Sequence, residues 1–157
     1  MLISPESLAV LGGAIALAGG LAGSAIGIGL AASAGAAILA DDPRQFRNVL
    51  ILAALPMTQT FYGLIVLIIV LTTVIPRVAE MGAGYGFAVL GIGVIAAAAE
   101  LISAVYQGAV CASGISLLSK TKGGIFTHTL ILAVYVELLG VLGLVFSIMA
   151  LSLIGVM

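Results

Sequence analysis

Two carboxyl side chains, Glu100 and Glu137, stand deep inside apolar runs that contain no other Asp, Glu, Lys or Arg. An ionisable group in such surroundings is costly to bury and marks a functional site by default. Glu137 has candidate companions in Leu55-Pro56-Met57-Thr58-Gln59-Thr60-Phe61-Tyr62-Gly63. There Leu55, Thr58, Gln59 and Tyr62 fall at i, i+3, i+4 and i+7, hence on one helical face. Pro56 has no backbone N–H and bends a helix, leaving carbonyls of the preceding turn underused. Another apolar run supplies Gln107. A carboxylate, two amide oxygens, a hydroxyl and a freed carbonyl could together replace the hydration shell of a small cation. Either glutamine alone reads more readily as an interhelical tie, worth about 1 kcal/mol or less. Their coincidence with an intramembrane carboxylate reverses that preference.

The elements that must position these groups are set by the solvent. Of 157 residues, 63% are hydrophobic and 7% charged, against about a quarter charged in a soluble domain. A water-facing surface cannot be built from this composition, so the environment is a bilayer. Four apolar runs, Leu8–Leu39, Val49–Ile75, Tyr85–Leu118 and Ile125–Ile154, exceed the roughly 20 residues needed to cross the hydrocarbon core. They are continuous rather than alternating, which predicts helices and not a membrane barrel. The fold class expected is all-α, four transmembrane helices. No Lys or Arg precedes Arg44, so the opening lacks the basic region of a cleaved signal and the first span is expected to remain.

Two short loops, residues 41–48 and 119–124, hold four of the five basic residues; the Pro76–Gly84 connection holds only Arg77. Basic short loops face the cytoplasm, which places both termini and the middle connection on the opposite side. The chain also repeats: Ala32-Ser33-Ala34-Gly35 resembles Ala112-Ser113-Gly114, and Ile51-Leu52-Ala53 recurs as Ile131-Leu132-Ala133. Such a repeat fixes architecture. It predicts two tandem helical hairpins in the same orientation, residues 1–78 without a carboxylate and 79–157 carrying Glu137. Small residues recur every four positions in the odd spans: Gly19, Gly23, Gly27, Ala31 and Gly35, then Ala96, Glu100, Ala104, Gly108 and Ala112. Small faces allow close helix packing in lipid. This is either packing within one chain or the inner circle of a closed ring, and the length of both stripes favours the ring.

The remaining candidates take plain readings. Asp41, Asp42, Arg44, Arg47, Lys120 and Lys122 are solvated loop residues, and His128 is an interfacial polar group. Cys111 is the only cysteine, which excludes a disulfide framework, and a thiol within an apolar span reads as buried and inert. Gly27-Ile28-Gly29 lacks the strand–turn–helix setting of a nucleotide loop. No basic tract suggests nucleic acid, and no nucleophile constellation or phosphate loop suggests catalysis. Glu100 could line the inner surface of a ring, stay protonated at a helix contact or form a second ion site; a neutral or lumen-facing acid is the favoured reading.

Pro56-Met57-Thr58-Gln59-Thr60-Phe61-Tyr62-Gly63, Gln107-Gly108 and Val136-Glu137 followed by Gly143 resemble the ion-site segments of V/A-type ATPase proteolipids, the K (c-type) rotor subunits. The likeness covers essentially the whole chain, including the fused hairpins and the missing first carboxylate, and is greatest to sodium-transporting members. It implies that Glu137 is the exchanging carboxylate, that Gln59, Gln107, the Thr58 hydroxyl and the Leu55 carbonyl complete the Na+ ligands, and that Tyr62 holds the site closed. It further implies a homo-oligomeric ring, a stator membrane subunit, central-stalk subunits at the cytoplasmic loops, and residence in a prokaryotic cell membrane. Met57 departs from the pattern, since sodium-type relatives can have Gly there, and Glu100 lies outside it.

The oxygen count bears on ion identity. A proton needs little beyond the carboxylate, whereas carrying Gln59, Thr58 and Gln107 into lipid without partners would be expensive. Sodium is therefore expected over H+, with H+ as competitor and no organic cofactor. Two other readings remain: an independent four-helix proton-coupled transporter, and a structural membrane-packing protein in which Glu137→Gln would be nearly silent.

Overall fold

A computed structural model describes residues 4–157 and is all-helical over them. Four long rods are apolar enough to cross a membrane: α1 (Pro5–Asp41), α2 (Pro43–Met81), α3 (Ala83–Ile115) and α4 (Phe126–Leu153). All four correspond to the apolar runs, each extended or trimmed by a few residues at its ends. Ser4 starts α1 by accepting the Ser7 N–H at 3.2 Å, with Pro5 just inside the start, where its missing N–H is not needed.

α2 is interrupted twice without being broken. Leu55–Met57 form a 3-10 turn around Pro56, and Val70–Val74 form a π-turn ahead of Pro76. The π-turn lets the Ile75 N–H bond to the Val70 carbonyl, so that Pro76 follows inside a continuing helix. The sequence suggests a connection over Pro76–Gly84. Instead the helix runs on through Met81, and a single residue, Gly82 at φ +98°, turns the chain into α3. That backbone conformation is open to glycine and strained for other residues.

α1 and α3 make the most extensive contact in the molecule, and they run parallel. A Cβ built on Gly12, Gly19 or Gly23 would come within 2.8, 2.5 and 2.6 Å of backbone atoms of Leu90, Ala97 and Leu101. Each pair is 78 residues apart (90 − 12, 97 − 19, 101 − 23). The two hairpins thus stand side by side in the same orientation, as the repeat requires. The stripe of Gly19, Gly23 and Gly27 is occupied inside the chain, against Ala97, Leu101 and Ala104. Packing within one chain, the plainer of the two readings, accounts for these positions. α2 packs back on α1, with Gly63 against Ala16 and Leu17 and Gly20 against Gln59, while α4 packs on α3 through Gly140 and Gly143.

The core is layered. Ala9, Val70, Val74, Val78, Val89, Leu151 and Val156 cluster near the termini. Val49, Leu52, Cys111, Ile115, Leu118 and Ala133 cluster toward the loops. Between them lies a band of enclosed polar side chains: Gln59, Glu100, Ser103 and Gln107. The two polar loops meet at one end, where a Cβ on Gly123 would lie 3.2 Å from Asn48 Nδ2 and 3.3 Å from Gln45 Oε1. Arg44 Nε donates to Asp42 Oδ1 at 2.8 Å and Gln45 Nε2 donates to Asp42 Oδ2 at 3.2 Å. Arg44 holds the Asp42 carboxyl below the usual carboxylate range.

Candidate ion-binding site

The polar band is assembled from three helices. α2 turns Gln59 inward because its neighbours at three-, four- and seven-residue spacing, Pro56 behind and Gly63 and Val66 ahead, are themselves buried. α3 presents Ser103 and Gln107, four residues apart and so on one face. α4 brings Glu137, which is half-buried. Gln59 and Gln107 are 0% exposed. At that burial each unmet donor or acceptor would cost about 1–3 kcal/mol, and the geometry meets them.

Gln59 Nε2 donates to Gln107 Oε1 at 2.9 Å and to Ser103 Oγ at 3.0 Å. Ser103 Oγ donates in turn to the Val136 carbonyl at 2.9 Å, tying α3 to the turn of α4 that carries the acid. Gln107 Nε2 donates to Glu137 Oε2 at 3.2 Å, and Tyr62 Oη donates to Glu137 Oε1 at 3.1 Å. Both carboxylate oxygens are therefore held from outside α4. The Thr58 hydroxyl lies 3.3 Å from the Leu55 carbonyl and 3.2 Å from Gln59 Oε1. Three oxygens, on Leu55, Thr58 and Gln59, are thus gathered on one turn of α2. The 3-10 turn at Pro56 contributes to this, since the Thr58 N–H, three residues on, closes on the Leu55 carbonyl.

Every residue singled out beside Glu137 is in this network or next to it: Leu55, Pro56, Thr58, Gln59, Tyr62 and Gln107. Ser103 is the member that sequence reasoning missed. Its signal is its four-residue spacing from Gln107, but a serine in a small-residue helix face is unremarkable by type. Glu100 belongs elsewhere than on a lumen face: it is 0% exposed and is enclosed where α3 meets α4. Met57 stays outside the network, pointing outward from α2 and 46% exposed.

Fold and site together define a class: a bundle of four membrane-crossing helices that frames one carboxylate with neutral oxygen and amide groups from two other helices. The comparisons with known proteins narrow it. The family model for the C subunit of ATP synthase matches twice, over residues 11–70 and 90–150. The chain is 36% identical over 125 residues to the V-type sodium ATPase subunit K of Enterococcus hirae, covering 80% of this chain and 78% of that one. It is 31% identical over 153 residues to the A-type ATP synthase subunit K of Methanocaldococcus jannaschii, covering 96% of this chain and 64% of that one. The chain belongs to the ATP synthase C-subunit family, in a form with the family's unit duplicated. It is an integral membrane protein and a non-catalytic member of its assembly.

Proposed function

We propose that this chain is the ion-carrying rotor subunit of a V/A-type rotary ATPase, with one Na+ bound per chain at Glu137. The observation that supports it most is the clustering of the Leu55, Thr58 and Gln59 oxygens beside a carboxylate that Tyr62 and Gln107 steady from two sides. The relative from Enterococcus hirae is named for sodium, which agrees with that donor set.

The mechanism follows from one electrostatic requirement. An ionised carboxylate exposed to hydrocarbon carries an effective penalty of several kcal/mol. A cation on Glu137 removes the net charge and lets the loaded subunit pass through lipid. Leu55, Thr58, Gln59 and Gln107 supply the neutral oxygens that replace water around the ion, and Tyr62 keeps the carboxylate turned toward them. In a closed ring of such chains, a stator membrane subunit with aqueous access and a basic group releases the ion. Turning the ring then couples ion flow to ATP turnover in the soluble head. The loops 41–48 and 119–124 face the cytoplasm of a prokaryotic cell and meet the central stalk; the termini lie on the other side.

The test is carbodiimide labelling of Glu137 in the isolated ring at neutral pH. Sodium is expected to slow labelling strongly, with H+ competing as pH falls. Labelling that only pH affects, whatever the sodium level, would make the chain a proton carrier.

A further inference from the structure

Glu100 is the buried acid that the Glu137 site does not use. Its side chain is wholly enclosed by this one chain, and neither carboxyl oxygen has a hydrogen-bond partner. The space around it is made by two missing side chains on α4. A Cβ at Gly140 would lie 2.9 Å from Glu100 Oε2 and 3.1 Å from Ser103 Oγ, and one at Gly143 would lie 3.4 Å from Glu100 Oε1.

The ionisable groups facing this notch are few. α4 offers Glu137, one turn before Gly140, and α2 offers Tyr62, whose hydroxyl is turned to Glu137. α1 has no ionisable residue between Glu6 and Asp41. The cationic side chains Arg44, Arg47, Lys120 and Lys122 belong to the loop end, Arg77 to the opposite end of α2, and His128 to the first turn of α4. An ionised Glu100 would therefore be a charge without a counter-charge or a donor, which interiors do not tolerate. Sodium does not solve the problem. The oxygen that shares the Gly140 notch with the carboxyl, Ser103 Oγ, is already engaged with Gln59 and Val136, and a metal cation needs several. A proton needs none: it bonds to one carboxylate oxygen and leaves the group neutral.

We propose that Glu100 is a second binding site, selective for H+, and that a loaded chain holds a proton there while Glu137 holds sodium. The sodium half of this statement rests on the reading of Glu137 above; the proton half rests on the surroundings of Glu100 alone.

Infrared spectroscopy of the purified ring in lipid, at neutral pH and saturating sodium, reads both halves separately. Carboxyls in water are ionised at this pH, so a carbonyl stretch of a protonated acid that shifts in D2O reports an enclosed one. The wild-type ring is expected to show this band, the Glu137→Gln ring to keep it, and the Glu100→Gln ring to lose it. Absence of the band from the Glu137→Gln ring overturns the proton site, and does so whether or not the Glu100→Gln ring assembles. A band that persists in the Glu100→Gln ring under sodium belongs to Glu137 and overturns the sodium reading instead.

Discussion

The two hairpins share a plan and differ in what they bring to it. Aligned on Ile51-Leu52-Ala53 and Ile131-Leu132-Ala133, Met57 of α2 stands where α4 has Glu137, and Gly63 stands where α4 has Gly143. Both glycines are buried against the preceding helix of their own hairpin, so the scaffold has been kept in both halves. The chemistry has been divided. The first hairpin gives neutral groups from α2: Leu55, Thr58, Gln59 and Tyr62. The second gives the charge and the amide and hydroxyl that tie it down: Glu137, Gln107 and Ser103. The first unit thus has no membrane carboxylate of its own, and its Tyr62 reaches the one its neighbour carries.

The sharpest way to break this division is to remove the charge. Glu137→Gln in every copy should abolish sodium transport by the reconstituted ATPase, and adding Met57→Glu should not restore it, because Met57 faces outward away from Gln107 and Tyr62. Sodium uptake into vesicles measures both. Recovery of uptake in the double variant would show that the hairpins are interchangeable.

Taking away the first hairpin's contribution should be milder. Gln59→Ala removes one proposed ligand oxygen and two buried hydrogen bonds, roughly 1.5–3 kcal/mol in all, so that about 10- to 100-fold more sodium should be needed to protect Glu137 from carbodiimide. Ser103→Ala leaves every proposed ligand in place but frees Gln59 and the Val136 carbonyl. A shift of about 3- to 10-fold in the same titration is expected from a net 1 kcal/mol or so. An effect of Ser103→Ala larger than that of Gln59→Ala would place the weight of the site on α3–α4 rather than on α2.

The smallest effect belongs to the loop. Because Arg44 holds the Asp42 carboxyl below its ordinary range, the folded form favours the ionised acid. That contribution is complete above the unfolded value of about 3.9 and disappears as pH falls through the lower, folded one. Asp42→Asn should lower thermal stability slightly at neutral pH, and the difference should vanish in strong acid. A constant difference across pH would mean that the Asp42 contacts act by shape and not by charge.

Much of this is legible in the residues. Helical spacing alone puts Leu55, Thr58, Gln59 and Tyr62 on one face, and apolar length locates all four rods. Pro76 reads wrongly as the edge of a connection because a proline and two nearby charges, Arg77 and Glu80, look like a break; the π-turn that absorbs it leaves no signature in residue types. For Glu100 the sequence leaves a lumen face and a helix contact both open, for a geometric reason. A four-residue stripe advances by about 40° per step around the helix, so Glu100 can share a stripe with Ala96 and Ala104 and still turn into the α4 notch. The rotation of α3 against α4 decides that, and one sequence does not record it.

Gly82 carries a consequence for gearing. With a single residue between α2 and α3, the hairpins cannot be dealt out independently, and in the ring proposed above charged and uncharged hairpins alternate strictly. For a given circumference such a ring takes half as many ions per revolution as one in which every hairpin is charged. In that proposed rotor each ion accounts for a wider angular step, and a full turn carries correspondingly less cargo.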